Sequence, residues 1–154
     1  VDTMCSISNG FRNSLRGGVL QMADVRYIQR FENFEKSFLL LKGALKIETP
    51  SIVEKGGVIQ FFETSFELAW KLMRDYLEFQ GYDVNSPREA IKLAFRSNLI
   101  ENGMLWLDAL MDRNLTVHTY DETMANKVYD KIKSDYFFLI DSLYETFKGG
   151  LCTD

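Results

Sequence analysis

The chain has 154 residues, a formal net charge of −4, and a composition that is 46% hydrophobic and 14% aromatic. This length fits one domain, and the composition is sufficient for a buried core, which excludes a largely disordered chain. The acidic balance argues against a protein that coats nucleic acid through bulk electrostatics, but it allows a small local basic site. No apolar run approaches the roughly 20 residues needed to cross a bilayer, so we expect no membrane segment.

The two cysteines, Cys5 and Cys152, lie near opposite ends of the chain and form no CxxC pair. With a single histidine in the sequence, this argues against both a disulfide framework and a zinc site. The pattern favours a reducing cytoplasm.

Composition divides the chain into three parts. Residues 1–21 hold three glycines, three serines and two asparagines with little periodicity, which predicts a flexible N-terminal extension. Residues 22–150 show helical periodicity and form the predicted domain. Residues 151–154 are a short C-terminal tail.

The first two predicted helices show apolar residues at alternating steps of three and four. The first pattern begins at Tyr27 and continues to Leu45. The second helix begins near Ser51, where Ser51 and Glu54 have the spacing of a capping box, and should end near Gly81.

The remaining helices follow further start and stop signals. Ser86 and Pro87 predict the N-cap and first residue of a short helix that ends near Arg96. After a turn at residues 98–103, a fourth helix leads into the segment that holds the only histidine.

A capping box formed by Thr119 and Glu122 predicts a long last helix, stopped by Gly149 and Gly150. No strand alternation or internal repeat is visible. The fold class predicted is all-α, an antiparallel four-helix bundle with an additional short helix.

Residues 111–123 hold the candidate catalytic residues Arg113, Asn114 and His118, followed by Tyr120. On one unbroken helix, Arg113 and His118 would lie about 140° apart, too far for a shared face. The predicted capping box at Thr119 would instead end one helix before His118 and begin the next just after it. The positive end of that next helix would then favour a neutral, basic imidazole.

Such a histidine can take a proton from a ribose 2′-OH, while Arg113 binds the scissile phosphate and Asn114 adds a hydrogen-bond donor. This scheme requires no metal ion and no other cofactor. The structural alternative is that His118 bridges two helix ends and Arg113 pairs with an acidic side chain.

The pattern from Arg113 to Tyr120 on an all-α bundle resembles the R-x4-H-x-Y motif of HEPN-domain proteins. It is similar in particular to the HepT-like toxins and to the nucleotidyltransferase substrate-binding proteins encoded beside minimal nucleotidyltransferases. The segments that resemble the second group are residues 29–36, 61–71, 86–88 and 113–120. The resemblance extends from about Val25 to Phe147.

The resemblance implies a homodimer whose two motifs face a shared cleft, and a minimal nucleotidyltransferase as the partner that neutralises the protein. In HepT-like pairs this partner adds AMP to the tyrosine of H-x-Y, here Tyr120. The leading hypothesis is a metal-independent endoribonuclease toxin with RNA as its substrate. The alternative is a non-catalytic substrate-binding subunit of a nucleotidyltransferase complex. A purely structural helical dimer would leave the clustered motif residues unexplained.

Three further features have a functional and a structural interpretation. Arg88, Lys92 and Arg96 lie at positions i, i+4 and i+8, so they can bind RNA or a nucleotide or simply form a solvated face. Glu63 and Glu67 can orient Arg113, begin a metal site or lie on the surface, and we favour the first or last role. The aromatic residues at helical spacing, including both tryptophans, can stack on bases but are more typical of a core.

Overall fold

The computed structural model of the protein describes the backbone of residues 18–118 and 121–150, and the side chains of residues 25–115 and 121–149. All regular structure within these ranges is helical, which confirms the predicted all-α class. The helices are α1 (Gly18–Ala44), α2 (Ile52–Phe79), α3 (Pro87–Arg96), α4 (Gly103–His118), α5 (Glu122–Lys131) and α6 (Phe137–Gly150), with a π-helical segment, Ile132–Tyr136, between the last two.

The π-helical segment joins α5 and α6 without a break. Lys131 and Phe137, the residues that flank the segment, both have right-handed helical backbone angles. The long last helix predicted from the sequence is therefore present as one helical run, with one widened turn inside it. The described chain thus has four long helical runs and the short α3, as predicted.

The start and end of α2 follow the sequence signals. The Ser51 hydroxyl accepts a hydrogen bond from the Glu54 backbone N–H at 3.2 Å, and the Glu54 carboxylate accepts one from the Ser51 N–H at 3.1 Å. The predicted capping box is confirmed. The helix ends at Phe79, and Gly81 follows with φ of +96°, a conformation that glycine adopts without steric cost.

Helix α3 also begins and ends where the sequence predicts. Ser86 is its N-cap and accepts a hydrogen bond from the Glu89 N–H at 3.2 Å, with Pro87 in the first turn. The Glu89 carboxylate accepts from the Asn85 N–H at 2.9 Å. The N-terminus of α3 therefore has one of the two hydrogen bonds of a capping box. The Glu89 carboxylate binds the backbone N–H of Asn85, the residue before the N-cap.

Helix α1 begins at Gly18, so residues 18–21 have helical backbone although the sequence analysis assigned them to the N-terminal extension. Residues 1–17 and the predicted tail at 151–154 lie outside the described residues. The apolar face predicted from Tyr27 onward is buried in the bundle.

The start of the last helical run corrects the sequence analysis. Its N-cap is Asp121, whose carboxylate accepts a hydrogen bond from the Met124 N–H at 2.7 Å, and the helix begins at Glu122. The predicted N-cap at Thr119, which itself lies outside the described residues, is therefore wrong. Aspartate is at least as effective an N-cap as threonine.

The end of α4 is a second correction. The helix continues to His118, whereas the sequence analysis ended it before this residue. No glycine or proline interrupts the chain between Gly103 and His118, so the helical backbone has no reason to stop earlier. Arg113 and His118 therefore lie on one helix.

Helices α1 and α2 are antiparallel, as predicted. Ser37 of α1 contacts Ser65 of α2, while Arg30 near the start of α1 contacts Asp75 near the end of α2. A buried aromatic layer centred on Phe38 holds α1 against the last run, through Phe137 with ring centroids 5.7 Å apart and Tyr144 at 4.6 Å. Among the described helices, none is both long and apolar enough to cross a membrane.

Candidate active site

Arg113 projects from α4 toward α2, where it meets a carboxylate. Its Nη2 donates a hydrogen bond to Glu67 Oε2 at 2.8 Å, and its Nη1 donates to the Asn114 side-chain oxygen at 3.2 Å. This contact fits the orienting role stated for Glu67, and it equally fits the structural alternative in which Arg113 pairs with an acidic side chain. The guanidinium remains partly exposed, with 27% of the side chain accessible, so it is fixed in direction and open to a phosphate.

The Glu67 carboxylate contacts three side chains that are positively charged or donate hydrogen bonds. Besides Arg113, its carboxylate accepts a hydrogen bond from Trp70 Nε1 at 2.9 Å and lies 3.1 Å from Lys71 Nζ. Burial acts to raise the pKa of Glu67, but these hydrogen bonds and the charges of Lys71 and Arg113 outweigh burial and leave the pKa below its usual value. Glu67 therefore stays ionised at neutral pH.

The structure describes different amounts of the other predicted site residues. The Asn114 side chain is exposed and bound to Arg113. His118 has a described backbone, at the last position of α4, but its side chain lies outside the described residues, as does all of Tyr120.

The continuity of α4 changes the geometry expected for Arg113 and His118. Their Cα atoms are five residues apart on one helix, which sets them about 140° apart around its axis. The backbone of His118 lies at the carboxyl end of α4, where the helix dipole is negative. The first observation corrects the prediction that the helix ends before His118.

Asp112, the residue before Arg113, is held by the last helical run. Its Oδ2 accepts hydrogen bonds from the Tyr136 hydroxyl at 2.5 Å and from Lys131 Nζ at 2.9 Å. Burial and the hydrogen bond to Asp112 raise the pKa of Tyr136, which keeps the phenol protonated as a donor. Two consecutive residues of α4 are thus fixed in different directions, Asp112 to the last run and Arg113 to α2.

The π-helical segment explains how two residues of the last run reach the same carboxylate. Lys131 and Tyr136 are five positions apart, so on a regular α-helix they would point about 140° away from each other. The backbone N–H of Phe137 donates to the carbonyl of Ile132, which is the i→i+5 bond of a π-turn. This widened turn brings both side chains to Asp112.

The contact of Asp112 with Lys131 and Tyr136 was not predicted from the sequence. The available signal was the position of Asp112 directly before Arg113 in the motif. Helical spacing does not place Lys131 and Tyr136 on the same face, because that spacing assumes an unbroken α-helix.

The three cations of α3 lie away from the contacts of the motif. Arg88, Lys92 and Arg96 are exposed and line a shallow groove of about 360 Å³. Their helix packs its opposite, apolar side into the core through Ala90 and Ala94. The structure therefore brings Arg113, Asn114 and Glu67 together and leaves the three cations as a separate surface.

Both tryptophans are buried, which favours the core interpretation of the aromatic residues. Trp106 is 1% exposed and packs on Phe66, with ring centroids 5.6 Å apart. Trp70 is 8% exposed, and Arg74 lies over its ring at 5.3 Å from the centroid. Phe95, by contrast, is 52% exposed.

Comparison with known families and proteins supports the resemblance seen in the sequence. Residues 29–149 match the family described as "Nucleotidyltransferase substrate binding protein like". A protein of Haemophilus influenzae named "Probable ribonuclease HepT" is 33% identical over 103 residues, which cover 62% of this chain and 68% of that protein.

Two solved structures have a similar fold. A Thermus thermophilus protein is 37% identical with a TM-score of 0.66, and the match covers 71% of this chain and 94% of that one. A Haemophilus influenzae protein, described as having the fold of a substrate binding domain of a nucleotidyltransferase, is 26% identical with a TM-score of 0.56. That match covers 82% of this chain and 98% of the other.

Proposed function

Because this chain belongs to the family of proteins like the nucleotidyltransferase substrate-binding proteins, we propose that it is the toxin of a pair with a minimal nucleotidyltransferase, and that it cleaves RNA without a metal ion. The observation that carries the proposal is Arg113, held by Glu67 and partly exposed, on the helix that ends at His118. Similarity to a protein named as a probable ribonuclease supports the same chemistry. The cysteine pattern favours action in the cytoplasm.

In the proposed reaction, the imidazole of His118 takes the proton from a ribose 2′-OH, and the resulting oxygen attacks the adjacent phosphorus. The bond from phosphorus to the 5′ oxygen of the next nucleotide breaks, and this departing oxygen takes up a proton to leave as a 5′-OH. Arg113 binds the phosphate oxygens and stabilises the negative charge that develops on them. Asn114, whose side-chain oxygen accepts from Arg113, supports this phosphate clamp. The hydrogen bonds from Arg113 to Glu67 and Asn114 fix the guanidinium before substrate binds, so less ordering is needed in the transition state.

We propose that two copies assemble so that their motifs face one cleft. Met104, Met111 and Leu115 are 75%, 55% and 47% exposed and form an apolar stripe along one side of α4. The Cα of His118 follows Met111 by seven residues, close to two turns, and so lies on that side. A second copy on this stripe would bring the two His118 positions together at the interface, whereas Arg113 lies on the opposite side of α4 and projects toward α2.

The test is cleavage of labelled cellular RNA by the purified, unmodified protein in excess EDTA. We expect cleavage, because the proposed chemistry uses only side chains. Addition of magnesium should not increase the rate beyond its effect on RNA structure. Absence of cleavage by a dimeric, unmodified sample would contradict the ribonuclease proposal.

The second candidate function is a non-catalytic substrate-binding subunit that docks on a nucleotidyltransferase. The structural similarity to a substrate binding domain of a nucleotidyltransferase favours it. This function predicts a complex with the nucleotidyltransferase that forms equally well with wild type and with His118→Ala. Such a complex, combined with no RNA cleavage, would select this candidate.

Regulation by AMP addition gives a separate prediction. Incubation with the partner nucleotidyltransferase and ATP should increase the mass of the chain by one or more AMP units, and the modified protein should lose RNA cleavage. The added phosphate places negative charge and bulk two residues from His118, where RNA phosphate must enter. Intact-protein mass spectrometry measures the gain, and Tyr120→Phe should remove it. A gain that persists in Tyr120→Phe would assign the modification to another residue.

A further inference from the structure

We propose that Arg88, Lys92 and Arg96 form a binding track for the phosphate backbone of single-stranded RNA, outside the catalytic motif. The three side chains project from one side of α3 at intervals of one helical turn, and all three are exposed. The substrate class rests on the proposed ribonuclease function. Binding at the track, however, does not require cleavage.

The local charge of the track is positive although the chain is acidic overall. Within the described residues, none of the three cations has a carboxylate in ion-pair contact, whereas Arg113 and Lys71 both pair with Glu67. Glu89 is the acidic residue among those that line the groove, and the Asn85 backbone N–H binds its carboxylate.

The shape of the surface suits an extended anionic chain. Residues of α3 line a groove of about 360 Å³, namely Ser86, Arg88, Glu89, Lys92, Leu93 and Arg96. Four residues of helix rise about 6 Å, so the cations present charges at regular intervals along the groove. Successive phosphates of a single strand can meet such a row one by one.

The end of the track adjoins the helix that carries the motif. Phe95, exposed beside Arg96, packs against Gly103 at the start of α4, where an added Cβ would lie 2.9 Å from the phenylalanine ring. Arg113 is ten residues further along α4, a rise of about 15 Å. A few nucleotides can bridge this distance, and the exposed ring of Phe95 offers a surface on which a base can stack.

RNA fits the track better than an acidic protein surface does. Protein interfaces have an apolar centre depleted of lysine, and the apolar side chain that lines this groove, Leu93, is half-buried. Rows of lysine and arginine with an adjacent exposed aromatic residue are typical of single-strand binding. The track therefore holds substrate RNA on its way to the motif.

The test is the salt dependence of binding to a short labelled 2′-O-methyl RNA, which keeps the phosphates but lacks the 2′-OH needed for cleavage. The first variant is Arg88→Gln/Lys92→Gln/Arg96→Gln. The matched control, Lys36→Gln/Lys42→Gln/Lys46→Gln, removes the same charge from positions on α1 and just after it, away from the groove. Circular dichroism checks that both variants fold.

We expect the track variant to reduce the slope of log K against log salt by about 2, since each phosphate contact on a single strand contributes about 0.7. Its affinity should fall roughly tenfold or more at moderate salt, and the control should retain the wild-type slope. Equal slopes in the two variants would overturn the proposal. Competition by polyglutamate as strong as that by RNA would overturn the assignment to RNA and favour an acidic protein.

The cleavage assay separates this inference from the proposed function. If wild type binds RNA through the track but cleaves none in EDTA, the track stands and the ribonuclease proposal fails. If wild type cleaves RNA and the track variant binds it with an unchanged slope, the ribonuclease proposal stands and the track fails.

Discussion

RNA cleavage in EDTA is expected to fall at least about 100-fold when either Arg113 or His118 is replaced by alanine, a loss typical of removing one phosphate-binding group or one proton-transfer group. Arg113→Ala removes the guanidinium that Glu67 holds toward α2. His118→Ala removes the proposed proton acceptor. Initial rates of cleavage of one labelled RNA measure both losses.

Arg113→Lys tests whether cleavage requires only the positive charge of Arg113 or also the planar geometry of its guanidinium. Lysine keeps the positive charge but has no planar fork, so it cannot bind Glu67, Asn114 and a phosphate in the same arrangement. We expect it to recover little of the activity. Lys36→Ala, which removes a cation of α1 far from the motif in sequence, is the control and should retain the wild-type rate. Full activity in Arg113→Ala at matched folding would contradict the assigned role.

The pairing of Arg113 with Glu67 also has a defined pH range. The pKa of Glu67 is lowered in the folded protein, so its contribution to stability is fully present above the ordinary carboxylate pKa. The contribution is lost as the pH falls through the lowered value. Glu67 is therefore ionised at neutral pH and keeps its ion pair with Arg113.

Phe38→Ala is expected to reduce the free energy of unfolding by about 3–5 kcal/mol, the range for truncating a large buried aromatic residue. Phe38 is completely buried and stacks on both Phe137 and Tyr144. The substitution removes these contacts and leaves a cavity between α1 and the last helical run. Urea unfolding at a fixed protein concentration measures the loss.

The control for this prediction is Phe138→Ala. Phe138 is 59% exposed, so its truncation should cost no more than about 1 kcal/mol. Both variants lose the same atoms and differ chiefly in burial. Equal losses in the two variants would contradict the position of Phe38 at the centre of the aromatic layer.

The sequence was sufficient for much of the fold because its signals are local. Ser51 and Ser86 cap their helices through contacts three residues away, and such contacts can be read from spacing alone. The apolar steps of three and four from Tyr27 onward identified the buried face of α1. At the start of the last helical run, the prediction took Thr119 as the cap, whereas Asp121, two positions further on, caps the helix.

The candidate site was predicted in part. The motif identified Arg113 and Asn114 as neighbours, and the pairing of Arg113 with Glu67 was one of the stated alternatives. The relation of Arg113 to His118 was predicted wrongly, because it depended on where α4 ends. The motif does not mark that boundary: no glycine or proline interrupts the chain between Gly103 and His118, and α4 continues to His118.

The sequence by itself determined the helical class, most helix boundaries and the set of candidate catalytic and binding residues. Only the tertiary structure decided that Asp112 is held by both Lys131 and Tyr136, and that the last run has a π-turn at Ile132–Tyr136. The physical reason is the distance along the chain over which the determining contacts act. Caps and apolar faces arise from contacts within a turn or two of helix, whereas a π-turn forms only when packing against other helices compensates for its poorer local geometry.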